Sequence, residues 1–226
     1  VILIGPTPPV SFFGYPGKPS HMARADAVLH VLSRPEQDSR AALHALADAV
    51  GASPAPAPQM VADASPLPTG APHAEGLARV IAALVPEGGI VCDETISFGG
   101  ATGPAYDSAA PHTWISLTGG AIGDGFPLST GAAIGAGGGR RVISVQADGS
   151  GLYSLQALWT QAREGLPCTT IILANRRYQI LLGEYAGVGA NPGPTAMDML
   201  DLGKPDMDWV QLAGGFGVEA ARTDTL

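Results

Sequence analysis

Asp148 and Asn175 are the residues of this 226-residue chain best placed to do chemistry. Each closes an apolar run rich in β-branched residues: Arg140 to Gln146 ahead of the first, Cys168 to Leu173 ahead of the second. Both runs read as buried strands. Asp148-Gly149-Ser150 reads as a turn whose Ser can cap a helix. Leu152, Leu155, Leu158, Trp159 and Ala162 then recur at helical spacing, and Gly165 and Pro167 end that helix. The separation of Asp148 from Asn175 is what a strand end, a helix and a return strand require. Both polar groups then fall at the carboxyl ends of parallel strands, where ligands bind. Asp148 offers a hard anionic oxygen and Asn175 a hard neutral one. The helix N-terminus adds free N–H groups and a positive dipole end. Such a site suits a diphosphate held through Mg²⁺, which takes few protein ligands and completes its shell with phosphate oxygens and water.

Other stretches carry candidate chemistry. Gly89 to Cys92 is a short strand ending in Asp93-Glu94-Thr95-Ile96-Ser97 and then Gly99-Gly100. Hydroxyls and N–H groups there could form a second phosphate contact, with an ordinary strand-to-helix loop as the alternative. Asp93 and Glu94 are not read as an acid/base pair, because neighbours on a strand point opposite ways. Trp114 to Thr118 is the next strand, followed by Gly119 to Pro127 and a small-residue helix from Leu128 to about Gly135. Gly123-Asp124-Gly125 imitates a metal turn, but no strand immediately precedes it, and the same spacing lands on Gly151, which has no ligand side chain. A dinucleotide fingerprint around Gly135 and Gly137 fails because Arg140 stands where the third Gly belongs, and the run leads into a strand. That disfavours a nicotinamide-dependent enzyme. Arg176 and Arg177 could meet phosphate or carboxylate.

These residues need a scaffold, and composition bounds it. Hydrophobic content of 46% with 14% charged residues suits a deeply buried α/β core. A formal charge of −8 argues against nucleic acid or an anionic membrane as partner. Cys92 and Cys168 read as strand residues and imply no disulfide framework, fitting a reducing cytoplasm. No apolar run reaches spanning length and no signal peptide is visible.

Three regions are expected. Residues 1–52 read as the tail of one α/β domain: strands at Val1 to Gly5 and Ala27 to Leu32, and an amphipathic helix from Ser39 to Val50. The aromatic segment Phe12 to Ser20 between them reads as a packed surface loop, with the lining of a substrate pocket as the alternative. Residues 53–72 form a Pro/Ala-rich, semi-rigid linker. Residues 73–226 form a second domain, C-terminally incomplete. It opens on a helix from His73 to Leu84, with His73 a surface or capping residue. Tyr178 to Glu184 is expected as a short helix closing over the site, Pro192 to Leu202 as a loop and Asp208 to Ala213 as helical. Gly214 to Val218 should lead into a last strand. The absence of an initiator Met and the strand at Val1 suggest a piece of a longer polypeptide.

The turn ADGS with its following Asn175 resembles the thiamine-diphosphate signature, a GDGS turn followed by an Asn pair. Ala147 stands where the first Gly is usual, and Ala174 where the first Asn is usual; neither is a ligand position. With FFGYPGKPS, LTGGAIGDGFP, ADGSGLYSLQALWTQARE and ANRRYQIL, the whole run resembles the acetolactate synthase large-subunit family, and more distantly benzoylformate decarboxylase. The resemblance implies a doubly wound, mostly parallel α/β sheet with helices on both faces, preceded by the tail of a second α/β domain. It implies Mg²⁺ ligands at Asp148, Asn175 and the backbone carbonyl of Arg177. It implies cofactor contacts at Ser97, Gly120, Ile122, Gly149 and Ser150. Ile122 would be the wedge that bends thiamine diphosphate, and the Gly120 carbonyl would hold its exocyclic amine. The implied reaction is decarboxylation of a 2-oxo acid, then protonation or ligation to a second carbonyl. The activating Glu of the family comes from a separate N-terminal domain of a neighbouring subunit, so no catalytic residue is assigned here. The parent is expected to be a cytoplasmic homodimer or homotetramer, and this segment alone is expected to lack turnover. The alternatives are a decarboxylase of benzoylformate type and a noncatalytic scaffold that keeps the fold.

Overall fold

The computed structural model describes residues 1–55, 65–98 and 105–226. Part of the Pro/Ala-rich linker, residues 56–64, and Gly99-Gly100 lie outside the described residues. The chain divides into two compact units, Val1–Gln59 with Ala186–Ala190, and Met60–Tyr185 with Asn191–Leu226.

In the first unit β1 (Ile2–Ile4) pairs in parallel with β2 (His30–Ser33), and α1 (Ser39–Ala49) follows. The second strand begins three residues later than the sequence pattern suggests. Asp38 starts α1: its carboxylate accepts from the Ala41 N–H at 2.9 Å, satisfying one of the free donors of the first turn.

The second unit holds the larger sheet. Its strands are β3 (Ile90–Glu94), β4 (Thr113–Ser116), β5 (Val142–Ala147) and β6 (Cys168–Leu173), all parallel, in the order β4-β3-β5-β6. Helices cover both faces. Ile81 and Ala82 of α2 (Ala74–Leu84) pack on Val91, Ile143 and Val145. On the opposite face Ala133 of α3 (Gly125–Gly135) packs on Ile90, Cys92 and Val142. Because side chains alternate across a strand, a sheet buried on both faces needs near-continuous apolar strands, and these runs supply them. His73 caps α2 through Nδ1, which accepts from the Gly76 N–H at 3.1 Å. Among the described residues, no helix is long and apolar enough to cross a membrane.

The chain passes from β3 outward to β4, then returns to lay β5 on the other side of β3 and continues to β6. Connections therefore leave β3 and β5 in opposite directions, which opens a crevice at their carboxyl ends. At the opposite, amino rim, the Arg140 guanidinium donates to the carbonyls of Gly88 and Gly89 and to the Thr113 hydroxyl. Arg140 and Arg141 thus precede β5 rather than opening it.

Several segments differ from the sequence expectation. Asp148–Gly151 is a one-turn helix, α4, rather than a turn. Residues 152–156 run in tight turns, so the long helix shortens to α5 (Ala157–Arg163). The helix expected over Tyr178 to Glu184 is present as α6, running on to Gly187 (Gln179–Gly187). Pro192 to Leu202 is not all loop: Pro194 sits in the first turn of α7 (Pro194–Met199), where a missing N–H costs nothing. Past α8 (Trp209–Gly215) no strand follows among the described residues.

Both cysteines are free thiols, and burial pushes them up, Cys92 to about 12 and Cys168 to about 11. Thiolate is the reactive form. The folded chain is therefore expected to resist thiol-reagent labelling of Cys92 at pH 8, whereas denaturant-unfolded chain labels at both cysteines. Rapid native labelling of Cys92 would contradict this packing.

Candidate functional site

The crevice at the switch point contains a cavity of about 280 Å³. Its walls come from the strand ends: Thr95, Ser97 and Phe98 after β3, Ile122 after β4, Ala147 to Ser150 after β5, and Asn175, Arg177 and Tyr178 after β6. Ile180 and Leu181 of α6 complete it.

Asp148 forms the buried wall, at 1% exposure. Its Oδ1 accepts from the Gly149 N–H at 2.9 Å and its Oδ2 from the Arg176 N–H at 2.6 Å. The second bond joins the ends of β5 and β6. Each oxygen keeps a further lone pair for a ligand. Burial pushes the Asp148 carboxyl above the usual carboxylate range, and the two N–H donors offset only part of that. In metal-free protein folding thus shifts this carboxyl toward its neutral form. The stability contribution of this group is fully present below the unfolded carboxyl value, about 3.9. It is lost as pH rises through the raised folded value. The stability advantage of wild type over Asp148→Ala is therefore expected to shrink with rising pH across that window, read by urea unfolding without metal. An advantage that grows with pH would contradict this assignment.

Asn175 lies on the exposed side of the same cavity, and its Oδ1 accepts from the Arg177 N–H at 2.9 Å. The Arg177 carbonyl accepts from the Gln179 N–H at 2.9 Å. Two non-glycine residues by the site hold left-handed backbone, Ile96 at φ 52° and Arg176 at φ 57°. Such conformations persist only where the surroundings over-determine them. For Arg176 the bond from its N–H to Asp148 is one such constraint.

Ser150 is not a helix cap. Its hydroxyl donates to the Ala147 carbonyl at 3.2 Å and accepts from Gln146 Nε2 at 2.7 Å. Gly149 takes no side chain: a Cβ there would lie 2.6 Å from the Tyr178 ring. Ile122 is 42% exposed and lines the cavity. Gly120 does not line it, and its carbonyl accepts from the Ile122 N–H at 2.8 Å. Ser97 does line it, on a tight helical turn over Ile96–Phe98. Among the described residues, the neighbouring Thr95 hydroxyl is buried without a hydrogen-bond partner. Among the described residues, no three His, Cys, Asp or Glu side chains gather as a metal cluster.

Glu94, set aside as half of an acid/base pair on sequence grounds, has a different role in the structure. Its carboxylate is 1% exposed and accepts from the Gly123 and Gly125 N–H groups and from Gln146 Nε2, at 2.6, 2.7 and 2.7 Å. Two adjacent acids at a strand end were a signal; the partners, far along the chain, were not. Gln146 spends its amide N–H groups on Glu94 and Ser150, and its Oε1 is left buried and without a partner among the described residues.

An open parallel sheet with a crevice at its switch point, walled by a buried Asp and an Asn at adjacent strand ends, defines a doubly wound α/β domain whose ligand site lies at the carboxyl ends of its strands. Residues 98–226 match the family model described as thiamine pyrophosphate enzyme, C-terminal TPP binding domain, and the chain belongs to that family. It is 44% identical, over its full length, to the Mycobacterium tuberculosis protein named "Putative acetolactate synthase large subunit IlvX", and it spans 44% of that relative's length. It is 32% identical over 179 residues to benzoylformate decarboxylase of Pseudomonas aeruginosa, covering 74% of this chain and 33% of the relative. The Rhodococcus jostii thiamine diphosphate-dependent 4-hydroxybenzoylformate decarboxylase superposes with a TM-score of 0.67 at 24% identity, over 97% of this chain and 43% of that one. That likeness is one of fold. The parallel sheet with helices on both faces agrees with the architecture expected from the sequence.

Proposed function

We propose that this chain supplies the diphosphate and Mg²⁺ half of a thiamine-diphosphate site that decarboxylates a 2-oxo acid and ligates or protonates the product, in the manner of acetolactate synthase. The observation that carries the reading is the shared cavity of Asp148 and Asn175, with unused oxygen lone pairs on both. All-oxygen donors, a single carboxylate and room for phosphate oxygens suit Mg²⁺. The unpartnered, buried Thr95 hydroxyl at the cavity wall gives an independent fit to a polyoxygen ligand.

In this reading Asp148, Asn175 and the Arg177 carbonyl hold the metal. Ser97, Thr95, Gly149 and Ser150 face the diphosphate. Ile122 supports the bend of the cofactor, with the Gly120 carbonyl beside its amine. When bound, thiamine diphosphate would supply a nucleophilic carbon for addition to a 2-oxo acid and a cationic ring as electron sink for the loss of CO₂. The chain's own residues orient that group, and the apolar rim of Ile122, Phe98, Ile180 and Leu181 excludes water. The functional protein is a homodimer or homotetramer in the cytoplasm, and the activating carboxylate is contributed from elsewhere in the assembly. Simple decarboxylation is the second reading, favoured by the benzoylformate decarboxylase relative. Titration calorimetry of the chain with thiamine diphosphate, with Mg²⁺ and then with EDTA, tests the shared claim. Binding that requires the metal supports it; no binding under either condition overturns it and favours a noncatalytic scaffold.

A further inference from the structure

The buried Glu94 lies behind the cavity wall, and nothing in the metal or diphosphate assignment uses it. All three of its partners are donors, so it serves purely as an acceptor. They come from two places: Gly123 and Gly125 in the bend after β4, and Gln146 on β5. Gln146 passes the connection on to Ser150 in α4. One carboxylate at the end of β3 therefore joins the bend that carries Ile122 to the helical turn that carries Asp148.

The bend is fitted to this clamp. Gly123 has φ 94°, and a Cβ there would lie 2.4 Å from Tyr153 Cβ. Its carbonyl accepts from the Ser154 hydroxyl while its N–H goes to Glu94, so both backbone groups are held. A Cβ on Gly125 would lie 2.1 Å from Gln146 Oε1 and 2.7 Å from Glu94 Oε2. Only glycine lets the backbone approach the buried pair this closely. Ile122 immediately precedes the first clamped amide, so its direction is set by that amide.

We propose that Glu94 is a positioning residue: it forms the Gly123–Gly125 bend before any cofactor arrives, and so presents Ile122 to the ring end of thiamine diphosphate. The proposal rests on the reading that the cavity holds that cofactor. Preorganisation of this kind raises affinity by removing an ordering cost from the binding step. The diphosphate end, anchored on Asp148, should depend on it far less.

The discriminating variant is Glu94→Gln. It is isosteric, but its NH₂ must face at least one of the three donors and push it away. Calorimetry on the full chain, with Mg²⁺ present, should compare thiamine diphosphate with inorganic pyrophosphate. Thiamine diphosphate affinity is expected to fall about tenfold or more, while pyrophosphate affinity stays within about threefold of wild type. A merely structural lesion would weaken both ligands together, and that outcome overturns the proposal. Unchanged thiamine diphosphate affinity in Glu94→Gln, with wild type binding normally, also overturns it and leaves the cofactor reading standing. Failure of wild type to bind either ligand removes the cofactor reading and this proposal with it. Should the variant not fold, amide exchange in cofactor-free wild type decides. The Gly123 and Gly125 amides are expected to exchange at least about 100-fold more slowly than unstructured amides. Exchange near the unstructured rate would mean that the bend is not preformed, and the proposal falls.

Discussion

Asp148→Ala is expected to lower thiamine diphosphate affinity in the presence of Mg²⁺ by at least about two orders of magnitude, more than loss of an outer-shell partner costs. The carboxyl is buried at the end of β5 and is the sole acidic side chain among the described residues that line the cavity. Mg²⁺ keeps several waters and relies on one or two carboxylates, so no neighbouring group can replace it. The substitution has a second effect. It strips the Gly149 and Arg176 N–H groups of their acceptor, at about 1–3 kcal/mol for each donor left without a partner. Relief of burying a carboxyl offsets part of that, so stability should fall less than affinity does. Titration calorimetry paired with urea unfolding separates the two. Mg²⁺-dependent affinity within about threefold of wild type would end the metal assignment.

Phe126→Ala is expected to destabilise the second unit by about 3–5 kcal/mol, a large share of a typical domain's 5–15 kcal/mol. The ring is 0% exposed and packs with Leu158 of α5 and Ala213 of α8. It also lies beneath α4: a Cβ on Gly151 would come within 3.2 Å of Phe126 Cε2. Removing it leaves a cavity under the turn that carries Asp148, so cofactor affinity should drop along with stability. Its backbone carbonyl, which accepts from the Ser129 and Thr130 hydroxyls, is untouched by the change. Urea unfolding should show a lower midpoint with an unchanged slope. A loss under about 1 kcal/mol would mean that the neighbours collapse into the space.

Much of this was legible in the sequence because the relevant signals are local. The apolar runs before Asp148 and Asn175 became β5 and β6, and the polar residue closing each came to one cavity. The misses have different physical causes. Glu94 draws its partners from 29, 31 and 52 positions away, and no periodicity records such contacts. The helix Pro194–Met199 was hidden because Pro marks loops and helix starts alike. Residues 152–156 carry the spacing of a helix, but Tyr153 and Ser154 bond back to Ser150 and Gly151 in tight turns.

Arg140 ties Gly88, Gly89 and Thr113 together at the rim of the sheet farthest from the crevice. The sheet thus has one edge that is braced and another that is adapted to a ligand. That division of labour suits laboratory evolution: substitutions that reinforce the braced edge can accumulate ahead of changes at the adapted one, creating tolerance for altered ligand preference without disturbing the groups that set it.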